Sequence, residues 1–371
     1  MKCLLSGNNN FIKIFSVKKV GIYMRTEKRK NHSPIKRNIN YFINKNTGTV
    51  QINPKIDVKL LYKKSHGSGT IGNTWFLHHK KFYNLVKKYL KGNILEIGGG
   101  DNSMLNQNIK FNKINNFFSL GKNINLKKKN KKIHIINSLF TKKLLHKKNI
   151  RNLDLVIHSH LFEHLYKPNN FLQVLHKNMT TNSYQVFSMP NMYQMLKSGM
   201  ANAVFFEHPF YYDEKATKLL LSRNGFKIIR KTYFGKRHSV MYVTKKINRF
   251  NKIRYNCYKK NKKIFSNLKN KWSKDLKKIK ELAQGNKKIF LFGANIFSQI
   301  ILSKNTDKKI LGIIDNDKNK QNQFLYGTKI KVFSPHILKK VQKPYLYLRA
   351  GDYNNEIKKQ IKSINKECSF F

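Results

Sequence analysis

The stretch Leu95-Glu96-Ile97-Gly98-Gly99-Gly100-Asp101-Asn102 decides how this chain is read. Residues 93–98 (NILEIG) are a short apolar run that reads as a buried strand, and it empties into three glycines before a helix-prone segment at 103–110. Glycines let a backbone pass close to a ligand, and a helix start beyond them offers free N–H groups. A glycine loop alone is a weak signal. Here a second strand end follows, Asp154-Leu155-Val156-Ile157-His158-Ser159-His160-Leu161-Phe162-Glu163-His164, and then Val186-Phe187-Ser188-Met189-Pro190-Asn191.

Outward from the loop, strands and helices alternate. Residues 76–91 set Phe76, Leu77, Phe82, Leu85, Val86, Tyr89 and Leu90 at helical spacing. Further strands are predicted at 115–120, 133–137, 153–158, 183–189, 226–232 and 238–243, and helices at 139–148, 167–178 and 213–224. This alternation predicts an α/β fold with a doubly wound, mostly parallel sheet. Residues 246–284 are basic, without proline, and place Leu268, Trp272, Leu276, Ile279 and Leu282 at helical spacing, which predicts a connecting helix. A second α/β pattern follows, with strands at 287–295, 309–317 and 344–353 and helices at 296–304 and 354–365. Residues 1–75 read as irregular, with β-like runs at 11–17 and 49–52 and a Gly/Ser stretch at 65–70.

The 371 residues suffice for two or three domains, and a 40% hydrophobic fraction supplies real cores. No run approaches the roughly 18 to 20 apolar residues of a membrane span, and no signal peptide is legible. Cys3, Cys257 and Cys368 form no CxxC pair and no disulfide framework, so the expectation is a cytoplasmic protein without membrane contact. Lys and Arg number 76 against 17 Asp and Glu, a net charge of +59. Nucleic acid is one explanation of such charge. The other is drift: Lys, Asn and Ile dominate together, Lys is spread along the chain, and Arg, the residue that clamps phosphates and reads bases, is scarce. Non-specific polyanion binding is expected in either case. With so few acids, their placement is informative: Glu96, Asp101, Asp154, Glu163, Glu207, Asp315 and Asp317 fall within motif segments.

The glycine loop and the Asp154–His164 segment resemble the motifs of class I S-adenosylmethionine (SAM)-dependent methyltransferases. The resemblance implies a seven-stranded doubly wound sheet with SAM over the carboxyl ends of the strands. It implies that Glu96, Gly98, Gly100 and Asn102 line the methionine side of SAM and that His160 stands where the cofactor passes. The segments Gly293-Ala294-Asn295, Gly312-Ile313-Ile314-Asp315-Asn316-Asp317, Leu325-Tyr326-Gly327-Thr328-Lys329-Ile330 and Ser334-Pro335 narrow it, because they resemble the smaller Rossmann-like C-terminal domain of sugar-nucleotide C-methyltransferases. The implied domains are a module at 1–75, the methyltransferase domain at 76–245, the basic connecting helix at 246–284 and the Rossmann-like domain at 285–371. Cys3-Leu4-Leu5-Ser6-Gly7 and Asn44-Lys45-Asn46-Thr47-Gly48 stand where that family has two CxxCG zinc half-sites. Three of four ligands are absent, and Asn and Thr do not hold structural zinc, so a zinc-free module and no metal are expected.

The family's Tyr-x-Glu-His segment reads here Phe205-Phe206-Glu207-His208. Carbon methylation beside a sugar ketone begins with loss of a poorly acidic C–H proton, which suits a base titrating near neutrality. The resemblance assigns His208 as that base and Glu207 as the carboxylate that orients it. The implied substrate is a small molecule, a nucleotide-linked keto-sugar. Two departures weigh against a working site. The end of the second strand, Phe118-Ser119-Leu120-Gly121-Lys122, lacks the acid that binds the ribose hydroxyls, and Ile136-Asn137-Ser138-Leu139-Phe140 lacks the acid that contacts adenine. The alternatives are a non-catalytic binding protein with a methyltransferase fold and a nucleic-acid methyltransferase.

Overall fold

The computed structural model describes residues 1–29, 33–62, 72–100, 103–121, 124, 130–248, 255–304 and 309–371. Asp101 and Asn102 lie outside the described residues, as does the 65–70 Gly/Ser stretch. The chain divides into two compact units, one of Gly72–Asn191 with Tyr212–Tyr255, the other of Met1–Ile71, Met192–Tyr211 and Asn256–Phe371.

The first of these units carries a seven-stranded sheet. Its strands in chain order are β1 (Gly92–Ile97), β2 (Ile114–Gly121), β3 (Ile133–Asn137), β4 (Leu153–Ser159), β5 (Met179–Pro190), β6 (Phe226–Phe234) and β7 (Ser239–Lys246). They lie in the order β6-β7-β5-β4-β1-β2-β3. β1 pairs parallel with β2 and β4, β2 with β3, and β4 with β5, whereas β7 runs antiparallel to β5 and β6. The two-residue period of the strands assigns their side chains to opposite faces. On one face Ile94, Phe117, Leu155, Ile157, Val186, Met241 and Val243 pack with Phe82, Leu85 and Val86 of helix α1 (Asn73–Val86). On the other, His158, Phe162 and Phe187 stack with centroids 4.9 to 6.3 Å apart, and Phe171 of the helix Pro168–Asn178 meets His158 edge-on at 5.6 Å. That helix starts with proline at its first position, where the missing N–H costs nothing. Helix Glu214–Arg223 is capped by Asp213, which accepts from Ala216 N at 2.8 Å. The helix expected at 103–110 is a single turn, Met104–Asn106. Ser103 bonds locally in competition with helix, its Oγ accepting from Leu105 N at 3.2 Å.

Among the described residues the second unit holds three further sheets, the smallest an antiparallel pair of Thr26–Glu27 with Phe324–Leu325. Phe11–Gly21, Lys36–Asn44 and Val50–Ile52 pair antiparallel. The middle strand was not read from the sequence, although Ile39, Tyr41 and Ile43 alternate inward. Five short parallel strands follow in the spatial order Val332–Phe333, Gly312–Ile314, Ile289–Phe292, Tyr345–Tyr347, Ser369–Phe370, over a core that includes Phe290, Ile314, Leu346, Ile357 and Ile361. The basic connecting segment is the 27-residue helix Tyr258–Gln284, which buries Ile264, Phe265, Leu268, Trp272, Ile279 and Leu282. Its Asp275 accepts from Tyr347 Oη at 2.5 Å and from Arg349 Nη2 at 2.5 Å and Nε at 3.1 Å. No described helix is long and apolar enough to cross a membrane.

The two stretches aligned with zinc half-sites meet in this unit. Cys3 Sγ lies 3.6 Å from Thr47 Oγ1, and Asn44 Oδ1 accepts from Asn46 N, Thr47 N and Thr47 Oγ1, each at 3.1 Å. Burial raises the Cys3 thiol, but hydrogen bonds from Ser6, Thr49 and Thr47 outweigh it and leave it lowered. The knuckles are thus closed by hydrogen bonds, and the oxygen that would stand in for a thiolate is already committed to three donors. These residues do not fit zinc.

Candidate functional site

The glycine loop leaves the carboxyl end of β1, where ligands bind in open α/β sheets. Gly98 has φ +81, a conformation that favours glycine, and its N–H donates to Leu120 O at 2.7 Å. Among the described residues a Cβ there would meet only Leu161 Cδ1, at 3.9 Å, so these residues leave the loop's outer side open. Gly100 follows with φ +49, and its carbonyl accepts from Ser103 N at 3.2 Å.

Glu96 lies under this loop and is 3% exposed. Its Oε1 accepts from Met104 N at 2.7 Å, and its Oε2 accepts from Ser119 Oγ at 3.1 Å and from Ser103 Oγ. Burial raises its pKa, against the opposing effect of these three donors. The carboxylate therefore ties the far end of the loop to β1 and β2. Ser119 occupies the end of β2 where a ribose-binding acid was sought, and its hydroxyl serves Glu96. A Cβ on Gly99 would come within 2.7 Å of Oε2 and 3.0 Å of Oε1.

His160 follows β4 with φ +50. Its N–H donates to Ser188 O at 2.9 Å, its Nδ1 is 3.3 Å from Glu163 Oε1, and its Nε2 is 3.0 Å from Ser239 Oγ. Around it stand side chains that sequence reasoning missed. His78 of α1 and His238, just before β7, each offer a ring nitrogen within 4.8 Å of those of the other two histidines. Trp75 covers all three rings, with centroids at 4.6 to 5.2 Å. The available signal was His78-His79 inside an amphipathic helix, and a histidine pair in such a helix is more often simply packed.

Glu207 and His208 belong to the other unit, and both are buried. His208 N donates to Phe205 O at 3.1 Å, and the His208 carbonyl accepts from Tyr41 Oη at 2.6 Å. The Phe205 and His208 rings meet edge-on at 5.8 Å. In the same unit, Asp315 accepts from Ala294 N at 2.7 Å and Asp317 N at 2.8 Å, so both of its oxygens serve its own backbone.

A mostly parallel seven-stranded sheet with one reversed strand and a glycine loop after its first strand is the fold of class I methyltransferases. Residues 76–231 match the family model described as a methyltransferase domain, and residues 285–368 match one described as C2185-like, N-terminal. No curated protein matches the chain. Among solved structures, it is similar to an S-adenosylmethionine-dependent methyltransferase from Mesorhizobium loti, with 11% identity, 44% of this chain and 95% of that one covered, and a TM-score of 0.36. It is also similar to a SAM-dependent methyltransferase from Aquifex aeolicus (14% identity, 45% and 89% covered, TM-score 0.33). A third likeness is to human N-acetylserotonin methyltransferase in complex with SAM (10% identity, 47% and 53% covered, TM-score 0.36). At these scores the likenesses carry no argument. The domain family implies SAM, and the open outer side of Gly98 above a pinned Glu96 fits such a cofactor.

Proposed function

We propose that the chain is a SAM-dependent methyltransferase acting on a small molecule, and that the acceptor is a carbon beside the ketone of a nucleotide-linked sugar. The observation that carries the cofactor class is the glycine loop at the carboxyl end of β1, open at Gly98 and fixed from below by Glu96. Gly98 and Gly100 hold the methionine end of SAM in this reading, with His160 beside it at the end of β4. Asn102 belongs to the same proposal. When bound, SAM supplies an electrophilic methyl group on a sulfonium. Glu96 makes three hydrogen bonds within the protein, so it acts by holding the loop's shape.

His208 takes the acceptor's C–H proton in this reading, and Glu207 orients the imidazole and favours its charged form. What supports that assignment is the adjacency of the two side chains in one buried segment, fixed by the Tyr41 hydrogen bond to the His208 carbonyl. The absence of an acid at the end of β2 removes one charged contact to the ribose. Hydrogen bonds to charged groups are worth roughly 1.5 to 3 kcal/mol. Loss of one weakens SAM about tenfold or more, each 1.4 kcal/mol being about tenfold.

The test is calorimetric titration with SAM after high salt has stripped bound nucleic acid. One saturable site supports the reading, and silence at millimolar SAM refutes it in favour of a binding protein without catalysis. His208→Ala should abolish turnover and leave SAM affinity nearly unchanged. Wild-type rates in that variant would remove His208 as the base.

A further inference from the structure

We propose that His78, His160 and His238 form a mononuclear site for a divalent transition metal of the zinc class, with one coordination position left open. The three come from separate elements, α1, the end of β4 and the residue before β7, yet one ring nitrogen of each lies within 4.8 Å of the other two. The backbone fixes two of them: His160 N donates to Ser188 O at 2.9 Å, and the His238 carbonyl accepts from Asn191 N at 3.0 Å.

The polar surroundings suit metal-binding imidazoles. Glu163, 1% exposed, places Oε1 3.3 Å from His160 Nδ1. A carboxylate on the far nitrogen fixes the tautomer with its proton on Nδ1 and leaves the Nε2 lone pair for the ion. That Nε2 lies 3.0 Å from Ser239 Oγ, which is also 2.5 Å from His238 Nδ1. Ser239 Oγ can donate its hydrogen to one of these nitrogens and accept from an N–H on the other. His78 is buried, its Nε2 is 3.1 Å from Ser188 Oγ, and its Nδ1 has no hydrogen-bond partner among the described residues.

Imidazole selects zinc, copper, nickel and iron over magnesium and calcium. Three protein ligands with a fourth position free is the arrangement of zinc sites that bind and polarise an oxygen ligand. Trp75 lies against all three rings and limits water on that side. The metal site stands without the methyltransferase reading. A role in polarising the acceptor's carbonyl rests on that reading.

The experiment titrates the chelator-treated full chain with Zn²⁺ and Co²⁺ in the absence of SAM. Expected are one saturable equivalent, the visible absorption of low-coordinate cobalt, and a zinc-dependent rise in melting temperature. His160→Ala and His238→Ala should each remove the saturable equivalent, and Glu163→Gln should weaken it by about 10–100-fold. His336→Ala, at an exposed histidine, should change nothing. Cu²⁺ should quench Trp75 emission in a Trp272→Phe background, a readout that needs no ligand variant. Absence of one-equivalent binding, or binding indifferent to His160→Ala and His238→Ala, overturns the proposal. Metal binding without any SAM binding would retain it and reject the methyltransferase reading.

Discussion

Gly99→Ala tests whether Glu96 sets the shape of the glycine loop. The added methyl would stand 2.7 Å from Oε2, 2.8 Å from Cδ and 3.0 Å from Oε1. A free carboxylate would swing away cheaply. This one is held on Oε1 by Met104 N and on Oε2 by Ser103 and Ser119. Either the overpacking remains, at about 1–3 kcal/mol, or the carboxylate retreats and gives up a charge-assisted hydrogen bond, at about 1.5–3 kcal/mol. We therefore expect Gly99→Ala to cost about 2 kcal/mol. Glu96→Ala removes the obstacle and strands buried donors, at about 1–3 kcal/mol for each one left unsatisfied. In the double variant the methyl has room, so its stability should match Glu96→Ala alone, with a coupling of about 2 kcal/mol. Gly98→Ala is the control. It costs about 1–2 kcal/mol through its left-handed backbone and should add simply to Glu96→Ala. The chain has two tryptophans, and Trp75 lies in the loop's unit, so urea unfolding followed by emission in a Trp272→Phe background reports that unit. Additivity of Gly99→Ala with Glu96→Ala to within about 0.5 kcal/mol would refute the account of a pinned carboxylate.

Burial holds the His158 pKa at about 3, with Glu163 opposing, so the imidazole is neutral in the fold and its contribution to stability is complete above about 6.5 and lost as pH falls through 3. The drop spans 3.5 pH units (6.5 − 3) at about 1.4 kcal/mol each, an upper bound near 5 kcal/mol, and His158→Leu should flatten the acid limb of Trp75-monitored unfolding. Tyr41→Phe removes the hydroxyl that donates to the His208 carbonyl at 2.6 Å, so turnover should fall with SAM affinity unchanged, as steady-state kinetics and calorimetry would show. Asp275→Asn breaks the pair with Arg349, whose side chain is 30% exposed, and removes one acceptor from Tyr347. It should cost about 1–3 kcal/mol, below the 3–5 of a fully buried pair, in thermal or urea denaturation. Ser6→Cys, Asn44→Cys and Thr47→Cys together should give four thiolates with Cys3 and bind one zinc more than the parent chain, measured by metal content.

The seven-stranded sheet was legible because its strands are apolar runs between turn signals, and the scarcity of acids made the motif acids visible. Their duties were less legible. Asp154, read as part of a cofactor motif, accepts from Asn93 N at 2.9 Å and Thr180 Oγ1 at 2.9 Å and so ties the starts of neighbouring strands. Asp315 stands where a nucleotide-binding acid would, yet it accepts two backbone N–H groups. Residue type and spacing place a carboxylate at a strand end. They do not say whether its lone pairs face outward or serve the turn beside it. The strand Lys36–Asn44 was missed for a related reason: its exposed start is Lys, Arg and Asn, Phe42 breaks the polar face, and only Ile39, Tyr41 and Ile43 carry the alternation.

A chain with +59 charges has few acids for its interior, and Glu96 and Asp315 each stabilise backbone at a turn. Histidine takes up a corresponding role in the polar core. His158 accepts from Gln185 Nε2 at 2.8 Å among aromatic rings, and His78 is sealed beside Ser188. An uncharged imidazole can be buried where a lysine could not, because its neutral form is reached near physiological pH. The ends of β1 and β4 are organised by a carboxylate under a glycine loop and by His158, which burial holds neutral. These strand ends, where the glycine loop opens, are where the candidate site lies.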